Sequence, residues 1–183
     1  MSDTIVCIAG GPSLTREDAQ FASSVCTTIG VNDAYRIARL DVLYASDHPW
    51  WKHHWDAVKD LPCRKVCGEQ KEKAPEGVET VPAKHGNDLT DSVLNFGGNS
   101  GFAALHLAIL MGAKRVVLLG YDMKAGAKRH WFGNHPEPLS RNSNYATMVH
   151  RMESAPKPDI PIINCSRDTA LTCFPRARIE DVL

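Results

Sequence analysis

The sequence has no apolar run approaching the length of a membrane span, and its 21 acidic residues are balanced by 21 basic ones. The first absence excludes a bilayer-spanning helix. The second argues against a broad nucleic-acid or membrane-surface footprint and leaves room only for a local basic patch. The opening "MSDTIV" lacks a charged segment followed by an apolar one, so a cytoplasmic protein is expected. Cys63 and Cys67 form a lone C-x3-C with no second pair to complete a zinc site. The six cysteines are therefore read as free thiols in a reducing compartment. No G-K-[ST] follows a glycine loop, G-x-G-x-x-G does not occur, and no H-E-x-x-H supports a histidine metal site. Internal repeats and low-complexity segments are also missing.

What is present fits one globular domain: 183 residues, 43% apolar and 23% charged, enough to bury a proper core. Three strand-like runs come early, "TIVCIAG" (4–10), "CTTIGVN" (26–32) and "DVLYAS" (41–46). Each is followed by a helical stretch, at 15–24, around "DAYRIARL", and from Pro49 onward, with Thr15 as a plausible cap. Residues 60–98 are less regular, with a short strand at 77–82. Then "GGNSGFAALHLAILMGAK" is the clearest helix, opened at Asn99 or Ser100 and stopped by Gly112. "RVVLLGYDM" (115–123) is continuously apolar, the pattern of a strand buried on both faces. Residues 124–142 read as a long loop, followed by a helix over 144–153 and a strand over 160–166. Strands alternating with helices predict an α/β fold, a mostly parallel Rossmann-like sheet flanked by helices.

In such sheets ligands bind at the carboxyl ends of the strands. Those ends carry Gly10, Gly11 and Ser13, then Asn32 and Asp33, then Asp47 and His48. The "AGGPSL" loop supports two readings, a cradle of backbone N–H groups for a phosphate or a glycine turn needed only for close packing. Asn99, Ser100 and Gly101 open a second candidate anion site, and Gly120 and Asp122 end the strand after it. A carboxylate at Asp122 suits a ribose hydroxyl, a metal, or a cap of the next turn. His106, inside the helix among apolar residues, reads as a hydrogen-bonded core histidine. In "RHWFGNHP", His130 and His135 supply candidate acid–base groups, and Trp131 or Phe132 a surface for a base or sugar. The tryptophans of "HPWWKHHW" read as packing anchors, with His53 and His54 on different faces.

Taken in order, "IVCIAGGPSL", "GVNDAY", "SGFAALHLAILMGAKRVVLLGYDM" and "HWFGNH" resemble the segments of the family 42 bacterial sialyltransferases. They are similar too to the MptE-like family, which includes 6-hydroxymethylpterin diphosphokinases, and small phage-encoded proteins with this set look nearer still. The likeness spans about two thirds of the chain. It implies a nucleotide site built from Gly10, Gly11, Ser13, Asn32 and Asp47, with Ser100, Gly101, Gly120 and Asp122 across from them. It also implies His135 as general base if Asn134 is an insertion, with Trp131 in place of a tyrosine. Two positions depart from the pattern. Ala9 stands for the loop's first glycine, and Asp47 for an asparagine.

An aspartate facing a phosphate needs a metal or a basic neighbour, which leans toward Mg²⁺-dependent diphosphokinase chemistry. The expectation is a nucleotide, nucleotide-sugar or related phosphate ester held at the strand ends. Gly10, Gly11, Ser13, Ser100 and Gly101 would hold the phosphates, and Asn32, Asp33 and Asp122 the base, ribose or metal. The 124–142 loop would close over them and bring in His130 and His135. The reaction implied is glycosyl or diphosphoryl transfer. The alternative is a protein that sequesters a nucleotide signal unaltered, of the phage anti-defence type, in the host cytoplasm. A homo-oligomer stays open.

Overall fold

The structure, a computed structural model, describes residues 3–124, 126–137, 139 and 143–183. Part of the 124–142 loop, at 125, 138 and 140–142, lies outside the described residues. The elements run β1 (Thr4–Ile8), α1 (Arg16–Val25), β2 (Thr27–Val31), a 3₁₀ turn (Asn32–Arg36), β3 (Val42–Tyr44) and α2 (His48–Val58). They continue with β4 (Arg64–Gly68), β5 (Glu79–Val81), β6 (Ala83–Lys84), β7 (Leu94–Asn95), α3 (Ser100–Leu110) and β8 (Arg115–Leu119). The chain ends through α4 (Tyr145–Ser154), β9 (Ile162–Asn164) and a last 3₁₀ turn (Ile179–Asp181). Among the described residues no helix is long and apolar enough to cross a membrane.

Seven strands make one all-parallel sheet in the order β5-β4-β3-β2-β1-β8-β9, and β6 pairs with β7 apart from it. This is the Rossmann-like α/β arrangement expected. Alternation along β1 explains the two layers of helices. Ile5 and Cys7 join the core under α3 and α4, while Val6 and Ile8 join the core under α1 and α2. A strand covered on both faces has no polar side to show, hence the unbroken apolar runs of β1 and β8. Helix α3 is buried from Gly101 to Ala108, which is why its apolar residues show no stripe.

Local signals set the helix starts. Thr15 accepts from the Asp18 N–H at 3.1 Å, and Asn99 from the Phe102 N–H at 2.9 Å. Gly112, at φ +87°, turns the chain after α3. Cys7, Cys63, Cys67, Cys165 and Cys173 are free thiols. His106 is the core histidine expected: its Nδ1 accepts from Asn95 N–H at 2.9 Å, so Nε2–H donates to the Asp91 carbonyl at 3.0 Å.

The region 60–98 holds four strands where one was expected. β4 escapes notice because it opens on two charged residues. Arg64 pairs with Glu79 of β5 at 2.9 Å. Lys65 is buried and turns its ammonium back to the carbonyls of Leu61 at 2.8 Å and Cys63 at 3.3 Å.

Candidate functional site

The sheet order reverses at β1. β2 lies on one side of it, and β8, arriving from far along the chain, lies on the other. Such a switch point leaves a crevice outside the carboxyl ends of the strands. A cavity of about 370 Å³ occupies that place. Its walls come from the β1 loop, Asn32 after β2, Asp47 and Trp50 around the start of α2, the first turn of α3, the chain after β8, the 129–135 segment and α4.

The β1 loop makes close contact with the chain after β8. Gly11 N–H donates to the Gly120 carbonyl at 2.8 Å. Ser13 donates both its N–H and its hydroxyl to the Asp122 carboxylate, at 2.8 and 2.9 Å. Leu14 N–H donates to the Gly11 carbonyl at 3.1 Å. These amides are therefore engaged within the protein. Of the two readings of the glycine loop, close packing is the one the geometry documents. Ser13 stands off the cavity lining, and Asp122, though on the wall, has both oxygens bonded to Ser13. Burial pushes the Asp122 carboxyl up, against the Ser13 bonds that pull it down.

The second anion site is more open. The N–H groups of Ser100 and Gly101 lie in the first turn of α3, where no intrahelical carbonyl reaches them, and both residues line the cavity. Ser100 Oγ accepts from Ser46 N–H at 3.3 Å, which brings Asp47 beside this positive helix end. Lys124 and Arg129 add cationic groups to the wall, Lys124 in an ion pair with Asp168 at 2.6 Å.

The described part of the 124–142 loop lines one side of the cavity. His130 and Gly133 exchange backbone hydrogen bonds at 3.1 and 2.9 Å, closing a tight turn. That turn docks on the β1 loop, because the Gly10 carbonyl accepts from Trp131 N–H and His130 Nδ1–H, both at 3.2 Å. The His130 ring stacks on Phe132 (centroids 4.9 Å, 8° between planes) and meets His135 edge-on at 4.7 Å. Trp131 is turned off the cavity lining and lies, like Phe132, under the Arg36 guanidinium at 5.8 Å. Burial pushes both imidazoles down. Asp33 and then Asp47 pull His135 back up, while His135 pushes His130 down further.

Asp33 does not line the cavity. It is buried behind His135, with Oδ1 ion-paired to Arg36 at 3.2 Å and Oδ2 accepting from the Trp50 indole N–H at 3.1 Å. Asn32, at φ +51°, adopts a left-handed backbone that asparagine tolerates better than most residues. Sequence reasoning missed Tyr145, Lys124 and Arg129 on the wall, and it read Trp50 only as packing. Tyr145 carries no signal beyond opening a helix.

Four lining residues share an unusual property. Asn32 Oδ1, Asn99 Nδ2, Tyr145 Oη and, on its side facing Asp33 behind the wall, His135 Nδ1 are buried and have no hydrogen-bond partner among the described residues. Most buried polar side-chain atoms are bonded, so unpartnered atoms on several residues of one cavity wall stand out. Among the described residues no group of three or more His, Cys, Asp or Glu is arranged to hold a metal ion, and Asp122 is taken by Ser13. Lys124 and Arg129 are basic residues on the same cavity wall as Asp47. No family model, curated protein or solved structure matches the chain.

Four histidines, His54, His106, His130 and His135, are held by burial below the ordinary value of 6.5. The folded chain thus binds fewer protons than the unfolded one below that pH. Stability is full above about 6.5 and falls as pH drops from there through the depressed folded values. The urea midpoint should fall between pH 7.5 and 5.5, and part of that fall should vanish in His106→Gln. A midpoint constant across that window would show that these rings are not held neutral.

Proposed function

We propose that the cavity binds one nucleotide or nucleotide-like phosphate ester and that His135 acts on it as general base in glycosyl or diphosphoryl transfer. The observation that carries the reading is the set of three unpartnered polar atoms, Asn32 Oδ1, Asn99 Nδ2 and Tyr145 Oη, on residues of one wall at the switch point. Asn32 offers an acceptor and Asn99 a donor, the pair that reads a polar edge such as a nucleobase. The phosphate end goes to the first turn of α3 with Lys124 and Arg129, and not to the part of the β1 loop whose Gly11, Ser13 and Leu14 amides are taken. A buried imidazole kept neutral near pH 7 is suited to accept a proton from an attacking hydroxyl. The leaving phosphate would be stabilised by the helix end and the cationic wall.

A second reading, retention of an unaltered nucleotide signal, draws on cavity size. About 370 Å³ lies near the lower end of small-molecule sites, ~300–1,000 Å³, and leaves little room for a second substrate.

One experiment separates them. The protein is incubated with mixed nucleotides, nucleotide sugars and Mg²⁺, then desalted, and the bound material is released by heat for mass spectrometry. The same is done with Asn99→Asp, which keeps the cap oxygen for Phe102 N–H but removes the amide donor. Expected is one nucleotide-class ligand per chain and transferred products in the flow-through. Affinity should be weaker by roughly tenfold or more in Asn99→Asp at an unchanged melting temperature. Intact ligand without products favours retention. Nothing bound overturns both readings.

A further inference from the structure

Beneath the cavity, Asp33 Oδ2 faces two imidazoles from opposite parts of the chain. His135 Nδ1 is 3.8 Å away and His54 Nε2 of α2 is 3.9 Å away. Both nitrogens are buried and neither has a hydrogen-bond partner among the described residues. These distances are too long for hydrogen bonds, and a shift of about 1 Å brings either nitrogen into range. His54 is itself held from the far side. Its ring stacks on Trp50 (4.5 Å, 18°), and Nδ1 meets the Tyr35 hydroxyl at 3.1 Å. With Tyr35 donating to Nδ1, the His54 proton sits on Nε2 and points at Asp33.

We propose that Asp33 is a shared counter-charge that holds one proton between His135 on the cavity wall and His54 beneath it, so that His54 sets the protonation of His135. The charges support one extra proton and resist two. Asp33 already carries Arg36 on Oδ1, so the group is neutral before either imidazole charges. A first imidazolium gains the Oδ2 contact. A second meets the first across the same oxygen, with Arg36 nearby. The other groups facing the cluster are His53 against His54 (4.9 Å), His130 against His135 (4.7 Å), Tyr35, and Asp47 acting on His135. Only Asp47 offers the second proton an added negative charge, and it is exposed.

The consequence for transfer is specific. His135 with its proton on Nδ1, toward Asp33, presents the Nε2 lone pair as the base. When Nε2 takes a proton, the imidazolium is held at Nδ1 by Asp33, and His54 stays neutral. Asp33 and His54 are thus positioning residues rather than catalytic ones. That consequence rests on His135 acting as base. The proton coupling does not, so the two can fail separately.

The test reads the rings directly. Histidine ¹⁵N–¹H spectra of the ligand-free protein are followed from pH 8 to pH 4.5 in wild type, His54→Gln, His135→Gln and Asp33→Asn. Removing either imidazole should raise the midpoint of the other where that other is the ring that protonates second, by roughly one pH unit. The coupling free energy is one quantity for both sites, and the ring that protonates second shows it in full. Asp33→Asn should lower both midpoints and release the His135 Nδ1–H tautomer. Both His→Gln variants keep the Asp33–Arg36 pair, so they stand as the test even if Asp33→Asn does not fold. Midpoints unmoved in both single variants overturn the proposal. Loss of ligand binding or turnover with that shift intact overturns only the transfer reading.

Discussion

Gly11→Ala lowers the melting temperature by roughly 6–12 °C, an effect of about 3 kcal/mol at this chain length. The cause is space and not backbone conformation, because Gly11 is not among the residues with positive φ. An added Cβ would lie 2.1 Å from Asp122 Oδ1 and 2.4 Å from the Gly120 carbonyl oxygen. Neither neighbour can give way cheaply. The carboxylate is pinned by two bonds from Ser13, and the carbonyl accepts the Gly11 N–H itself. Gly120 is fixed in turn at φ +69°, and a side chain there would meet the Ala9 carbonyl oxygen at 2.8 Å. Alanine at position 11 therefore separates the two loops and strands a buried carboxylate, whose lost bonds add to the overlap.

Gly112→Ala is the control. Its φ is +87° but nothing lies within 4 Å of the added Cβ, so only the left-handed strain of ~1–2 kcal/mol is felt. A Gly11→Ala protein that melts no lower than Gly112→Ala would show that the loops are not locked in this way. Calorimetry on the two variants decides it.

The same lock shows what could be read from the chain and what could not. Strand ends at Gly10, Asn32, Asp47 and Gly120 were legible, because apolar runs stopping at small or polar residues mark the carboxyl edge of a parallel sheet. The α3 opening was legible too, since Asn99 precedes a Ser-Gly pair and a long Ala/Leu body. The roles were harder. Ser13 and Asp122 are each plausible ligand groups alone, and only their pairing across 109 residues of sequence shows that they bond each other. Asp33 beside Asn32 looks like a second cavity residue. The 3₁₀ turn that starts at Asn32 instead carries Asp33 inward, to Trp50 and Arg36. Nothing in local periodicity reports such a rotation. The tryptophans of α2 were read correctly as anchors, Trp51 donating to the Ala45 carbonyl at 3.0 Å, yet Trp50 also lines the cavity. A side chain can serve a core and a wall at once.

His135→Ala should reduce turnover by about 10²–10⁴-fold while ligand affinity stays close to wild type, the signature of a general base. The two histidines of the loop differ in what holds them. His130 commits Nδ1–H to the Gly10 carbonyl and lies flat on Phe132, so it fastens the turn to the β1 loop. His135 has no such bond, and its Nδ1 faces a carboxylate at 3.8 Å. His130→Ala should therefore weaken ligand affinity as the turn loosens, with a smaller effect on the chemical step. The pH profile gives a second handle. A base must be neutral, and burial sets the His135 value below the ordinary 6.5, so kcat/KM should hold through neutrality and fall as pH drops through that lowered value. The falling limb should vanish in His135→Ala. Loss of affinity equal to the loss of turnover would make His135 a ligand contact, and the cavity would then be a holding site. Turnover intact in His135→Ala would leave the buried, unpartnered Nδ1 with no part in chemistry, and the base would have to be sought at His130 or Asp47.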